Sequence, residues 1–400
     1  MKTKSMVLTL ILLLITNLSA ADWPTWRGIN HDGISTESGW NPKAIEKVEK
    51  AWEIQVGLGY AIVSVVNGKV YTMGNTDETN IIYCLDEKTG KEIWKHSYAS
   101  GNTAFEGTRG TPIFDNGKIY TTGQLGHVTC HEAETGKVIW KRNLLTDYKT
   151  DNISWGISSS PIIEGDILLL NLNKSGVALN KNTGKDIWVS ESADFSYATP
   201  MIYEMNDKKY AAIFSQETMF SVDIETGKVA WEYPWKTSWD INGADPIFFD
   251  NKMFLSSGYK VGCALLDLTN NQPKEIWSNK NISAQFGSCV KIGDYIYGPK
   301  GDCGRKTSGL ACIDAKTGEM QWEANLGFSS LIVVDNKLVI VTETGNLHIA
   351  EVNPKEYKEI AQANVIDADK KNPVWCAPVL ANKRIYIRNH QGTLVSLKVD

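Results

Sequence analysis

The strongest constraint on this chain is an eleven-residue segment that returns along it. Cys84–Trp94 reads CLDEKTGKEIW, Cys130–Trp140 CHEAETGKVIW and Ala178–Trp188 ALNKNTGKDIW. Ser221–Trp231 (SVDIETGKVAW) and Cys312–Trp322 (CIDAKTGEMQW) follow, and Leu265–Trp277 (LLDLTNNQPKEIW) is a looser copy. The tryptophans Trp52, Trp94, Trp140, Trp188, Trp231, Trp277 and Trp322 stand 42, 46, 48, 43, 46 and 45 residues apart. A period of about 40–50 residues built from strands is that of a propeller blade.

Each copy has hairpin chemistry. A short apolar strand ends in Asp86, Asp223 or Asp314, whose carboxylate can bond the amides of the turn. Thr-Gly follows, and a second strand carries the Trp. Upstream lies another hairpin, as in Thr111–Thr122 (TPIFDNGKIYTT) with Asn116-Gly117 at its turn. Two hairpins make four strands, one blade. Innermost strands are expected to begin near Ala61, Gly110, Ser159, Thr199, Asp245, Ser288, Ser330 and Ala377, which predicts an all-β, eight-bladed propeller. The seventh blade has Ala361 where its Trp should be. The eighth stops after Val395–Val399, while Ala51–Val56 (AWEIQV) is an orphan strand at the other end. Pairing these two closes the ring and removes an exposed sheet edge. The repeated Trp is expected to dock on the next blade's turn.

The division expected is a signal peptide over 1–21, an N-terminal arm over 22–50 and the propeller over 51–400. Lys2 and Lys4, the apolar run Val7–Ile15 and the small residues Ser19-Ala20-Ala21 carry the signal, too short for a membrane span. The product is expected in the periplasm or secreted, monomeric, without a transmembrane span, and compatible with a peripheral contact to the envelope. The net charge of −5 comes without a basic stripe, so nucleic acid is excluded as a partner. Seven cysteines show no C-x-x-C, and Cys84, Cys130 and Cys312 share one strand position. Cys303, in the loop Gly301–Ser308 expected to be exposed, could pair with Cys289 or Cys312.

The pattern Ala-x-Asp-x-x-Thr-Gly-Lys-x-x-Trp resembles the tryptophan-docking repeat of the PQQ-like, quinoprotein alcohol dehydrogenase-like propellers, which include BamB. The resemblance covers residues 51–400. The start Asp22–Gly39 (DWPTWRGINHDGISTESG) is similar to the leader of exported members of mostly unassigned role, and implies an arm packed across the propeller or into its mouth. In the dehydrogenases, PQQ sits in the central funnel beside calcium, under two adjacent cysteines. This chain has no Cys-Cys pair and lacks their long insertions.

Loops leading into the innermost strands should line the funnel. They include FEGTRG (105–110), ISWGISSS (153–160), DFSYAT (194–199), SWDINGAD (238–245), AQFGS (284–288) and PVWCAP (373–378). Glu106, Arg109, Trp155, Tyr197, Trp239, Gln285 and Trp375 are the candidates for binding a cofactor or ligand, because an apolar cleft with a few convergent polar groups is a ligand site. Arg109 could hold a carboxylate. Asp240 and Asn242, with Asp245, could offer oxygens to a hard cation, and Asp245 is the candidate catalytic base. The alternative is that Arg109 pairs with Glu106 or Asp245 and these groups fill the axis with a satisfied polar network. No zinc-hydrolase spacing, nucleophile elbow or phosphate loop is present. The function expected is a binding or scaffold module for a protein or small ligand at the funnel face, more in keeping with a non-catalytic role. A divergent PQQ-dependent alcohol or polyol dehydrogenase and a carbohydrate-binding propeller are the alternatives.

Overall fold

A computed structural model describes residues 22–400 apart from Asn102 and Asn271; the expected signal peptide, 1–21, lies outside the described residues. Eight antiparallel sheets follow one another around an axis, as expected from the repeat. Blades are numbered here by their innermost strands: Ser64–Val66, Ile113–Asp115, Ile162–Glu164, Met201–Met205, Ile247–Phe249, Val290–Ile292, Ser329–Val334 and Val379–Ala381. Blade 1 continues through Lys69–Thr76, Thr79–Asp86 and Glu92–Ala99. Its first turn, Asn67-Gly68, has φ of 52° and 74°, the left-handed pair that a two-residue hairpin turn requires.

Across each blade, one row of side chains repeats. Tyr71 pairs with Cys84 and Cys84 with Trp94; Tyr120, Cys130 and Trp140 form the same row, as do Tyr297, Cys312 and Trp322. The cysteine is therefore the small residue between two rings. All seven cysteines are free, so no bridge joins Cys303 to Cys289 or Cys312.

The tryptophans dock as expected. The indole N–H of Trp52 donates to the carbonyl of Glu87, that of Trp94 to Ala133, Trp140 to Lys181 and Trp188 to Ile224, all at 2.8–2.9 Å. Each ring lies on the turn glycine of the next blade. A Cβ at Gly90, Gly136, Gly184 or Gly227 would approach the ring within 2.5–2.8 Å, so these glycines serve both their positive φ and the contact. Trp231 faces the looser copy, which lacks that glycine, and its N–H has no partner among the described residues.

The ring closes through Lys50–Gln55, which pairs with Thr393–Lys398 of blade 8. Buried Arg388 clamps the seam, donating to the carbonyls of Ala61 (2.6 Å), Met73 (2.5 Å) and Gly57 (2.8 Å) of blade 1 and its approach. Ala361 stands opposite Ile349, in the Trp position of blade 7. The arm compensates there: a 3-10 helix, Pro42–Lys47, packs on that outer strand, and Ile45 and Trp40 share a core with Ala361.

Before that helix the arm runs along the inner strands on the side of the Asn-Gly turns. Trp23 bridges Val65 in both directions, Pro24 accepts from the amide of Phe114, and Ile34–Ser35 pair in parallel with Val333–Val334. No helix among the described residues is long and apolar enough to cross a membrane.

Candidate functional site

The arm ends the axial funnel in a floor. The indole N–H of Trp26 donates to Asp245 Oδ2 at 2.7 Å. The same carboxylate accepts from the hydroxyl of Ser288 (3.0 Å) and the amide of Thr199 (2.9 Å), with Arg27 Nε at 3.9 Å. Arg27 also donates to the carbonyl of Cys289 at 2.7 Å. Burial raises the carboxyl pKa of Asp245 against the pull of Arg27 and Trp26. Asp245 thus reaches the cavity wall while clipping the arm, through Trp26 and Arg27, to the inner ends of blades 4 and 6.

Above this floor lies a cavity of about 400 Å³ with apolar walls. The Tyr60 ring stacks on Trp375 (5.1 Å between centroids, 12° between planes) and on His390 (4.8 Å, 13°). Phe105 meets Trp155 edge-on at 5.0 Å, and Phe286 lies 5.3 Å from Trp375. Arg109 sits 5.7 Å from the Tyr60 centroid, a cation over an aromatic face. Its guanidinium donates to Thr103 Oγ1 (3.2 Å) and to the carbonyls of Gly107 (2.8 Å) and Phe105. All three acceptors are neutral. Burial lowers the Arg109 pKa to about 10, with Tyr60 and Tyr197 as the groups opposing that shift. It stays charged at neutral pH and has no carboxylate against it among the described residues. The expected pairing with Glu106 or Asp245 is therefore corrected: Glu106 is exposed on the rim, and Asp245 belongs to Arg27.

Trp155, Tyr197, Trp239, Gln285 and Trp375 line the same cavity, as the sequence led one to expect. Gln285 bridges, donating to the Tyr259 hydroxyl and accepting from the Cys303 amide, both at 2.7 Å. Asn242 does not face the cavity. Its amide donates to the carbonyls of Ser215 (3.1 Å) and Gln216 (3.0 Å), and its oxygen accepts from Ser257 (2.8 Å). It holds the loop that lifts Trp239, 64% exposed, onto the rim beside half-buried Asp240. Asp240, Asn242 and Asp245 do not converge, and no metal-holding cluster of His, Cys, Asp or Glu occurs among the described residues. The oxygens expected to meet a cation are instead taken by Ser257 at Asn242 and by Trp26, Ser288 and Thr199 at Asp245.

Sequence reasoning missed Tyr60, Phe105, Tyr259, Phe286, Cys303 and Cys376 as lining residues. Phe105, Phe286 and Cys376 stand inside loops already marked. Tyr259 and Cys303 come from connections between the two middle strands of blades 5 and 6, which lean toward the axis. Cys303 is thus a wall residue rather than part of an outlying loop. Burial raises the Cys303 and Cys376 thiols to about 11 and the Tyr60, Tyr197 and Tyr259 hydroxyls to about 12. All five stay protonated at neutral pH, which leaves the thiols poor nucleophiles.

Fold and site together define an eight-bladed, tryptophan-docked β-propeller with an aromatic funnel floored by its own N-terminal arm. The family model described as "Outer membrane protein assembly factor BamB" matches residues 78–324, more than half of the chain, and the chain belongs to this PQQ-like propeller family. Polyvinylalcohol dehydrogenase of Sphingopyxis sp. (strain 113P3) is 25% identical over 304 residues, 62% of this chain and 43% of that enzyme. This chain thus spans under half the length of that dehydrogenase. Outer membrane protein assembly factor BamB of Burkholderia pseudomallei (strain K96243) is 21% identical over 362 residues, 76% of this chain and 88% of the relative. A europium-containing methanol dehydrogenase superposes with a TM-score of 0.70 at 16% identity, covering 92% of this chain and 89% of that one, a likeness of fold.

The dehydrogenase likeness raises PQQ with calcium as a cofactor. The residues do not fit that centre. The oxygens of Asp245 are committed to Trp26, Ser288 and Thr199, Asn242 is turned into its own loop, and Glu106 is on the rim. Cys303 and Cys376 reach the funnel from different blades.

Proposed function

We propose that the protein is an exported binding module that captures a ligand or partner segment in its funnel. One observation carries the reading: a half-buried cation, answered only by neutral oxygens, faces a cavity walled by aromatic rings. Such a wall gains by covering apolar surface, and Arg109 gains by meeting an anion. The likeness to an assembly factor over most of both chains supports a role in holding rather than converting. Export rests on residues 1–21, and finding the chain outside the cytoplasm beginning near Asp22 would test it.

The functional test is a fluorescence titration of the purified protein with aromatic carboxylates and short aromatic peptides. Saturable binding below millimolar concentration, lost in Trp155→Ala and Trp375→Ala variants, is the expected result. No saturation across the panel, or binding indifferent to both substitutions, would overturn the reading. PQQ with calcium is the comparison. Tight binding that depends on Arg109 would restore the dehydrogenase alternative.

A further inference from the structure

The rim of the funnel is split by charge, and that split says what kind of ligand the funnel reads. On the side of blades 2–4 stand the acids Glu106, Asp151, Asp194 and Asp240, none with an ion-pair partner among the described residues. Lys149 and, lower in the wall, Arg109 are the cations without a carboxylate partner there among the described residues, while Lys174 and Lys236 are held by Glu191 and Glu217. On the side of blades 5–8 the balance shifts toward cations. Lys260, Arg305, Lys306, Lys370 and Lys371 are exposed and unpaired among the described residues. The acids near them keep their charge but are tied down by backbone, so the cations are the groups free to reach outward: Asp302 accepts from the amide of Tyr259, Glu343 from that of Gly304, and Asp369 from those of Lys371 and Asn372. Asp367 is the one acid there without such a tie.

The cations belong to the connections that carry the wall. Arg305 and Lys306 follow Cys303, and Lys370 and Lys371 precede Trp375. Between the two arcs stand Trp239, 64% exposed, and Phe105, 42% exposed, the two aromatic residues among the exposed large hydrophobics. Water-exposed rings at the mouth of an apolar cavity mark an interaction surface.

We infer that the funnel mouth docks an extended peptide segment, apolar in its middle and acidic at the end lying over blades 6 and 7. This rests on the binding reading above and adds the ligand's chemistry and direction. A peptide is favoured over a glycan because sugar hydroxyls need a dense set of hydrogen-bond partners. Here the lining is mostly rings, and the amide of Gln285 is already used on Tyr259 and Cys303. Rim charges of this kind steer encounter and fix register.

The probes are the labelled peptide Phe-Ala-Phe-Ala-Asp-Asp-Asp-Asp, its counterpart with four lysines, and polygalacturonate oligomers. Anisotropy is read on the purified full-length exported chain, on a variant with Arg305→Glu, Lys306→Glu, Lys370→Glu and Lys371→Glu, and on Trp155→Ala/Trp375→Ala. Melting temperature serves as the folding control. The acidic peptide is expected to bind about tenfold or more tightly than the lysine peptide, with the preference lost in the charge-reversed variant and reduced in 0.5 M salt. Equal binding of both peptides, lost with the aromatic pair, would overturn the charge assignment and leave the funnel reading standing. Binding indifferent to the aromatic pair would overturn both. Tighter capture of polygalacturonate than of the acidic peptide would overturn the peptide assignment.

Discussion

The floor and the wall of the funnel treat charge in opposite ways. At the floor, Asp245 meets an indole N–H, a hydroxyl, a backbone amide and, at 3.9 Å, a guanidinium, all from within the chain. At the wall, Arg109 meets only neutral oxygens and a tyrosine face. A charge answered internally is part of the scaffold, and removing its partner is costly. A half-buried charge answered only by neutral groups is left able to meet an anion from outside, which is what a binding site uses.

Four measurements would break or sharpen that contrast. The largest effect is expected for Asp245→Ala, which strands Arg27 in the interior and frees Trp26; about 3–5 kcal/mol should be lost in urea unfolding. A second change, Arg27→Met, should recover part of that loss. A double variant as unstable as the single would mean that the floor is not a coupled unit.

His131 extends the internally answered class to the seam between blades 1 and 2. It is fully buried, with Nδ1 on the carbonyl of Gly136 (3.0 Å) and Nε2 on Thr129 Oγ1 (2.8 Å). Burial is the main cause holding its pKa down, to about 4 from 6.5. The unfolded chain therefore takes a proton that the folded one refuses. Stability contributed by neutral His131 is full above pH 6.5 and is lost as pH falls toward 4, on the order of 3 kcal/mol. The acid limb of unfolding should flatten in His131→Gln, and an unchanged limb would count against the assignment.

A smaller effect separates two tryptophans. Trp94→Phe should cost about 1 kcal/mol more than Trp231→Phe, because only Trp94 loses a buried hydrogen bond. Equal losses would show that ring burial alone decides docking. The smallest change in stability, within about 0.5 kcal/mol, is expected for Arg109→Met, since no ion pair is broken. Its effect should fall on affinity for anionic ligands, and a large loss of stability would make Arg109 scaffold after all.

The architecture was legible because it is written locally and repeatedly. Thr-Gly turns, Asn-Gly turns and evenly spaced tryptophans each act within a dozen residues, and seven tryptophans in step leave little freedom in the count. The funnel was only half legible. Loops named by their place before an inner strand did supply Arg109, Trp155, Tyr197, Trp239, Gln285 and Trp375. Which way a side chain turns inside such a loop depends on partners far along the chain. Asn242 was claimed by Ser215 and Gln216, and Asp245 by Trp26, 219 residues away. Tyr259 and Cys303 arrived from connections whose inward lean has no signature in the sequence.

The placement of Trp26 and Arg27 across the axis has one further consequence. They separate the funnel from a void of only about 30 Å³ beneath it, so the ring is a cup rather than a pore. Whatever enters must leave by the way it came. A long polymer cannot be reeled through such a ring; it can be gripped only from the mouth side, and every release resets the grip.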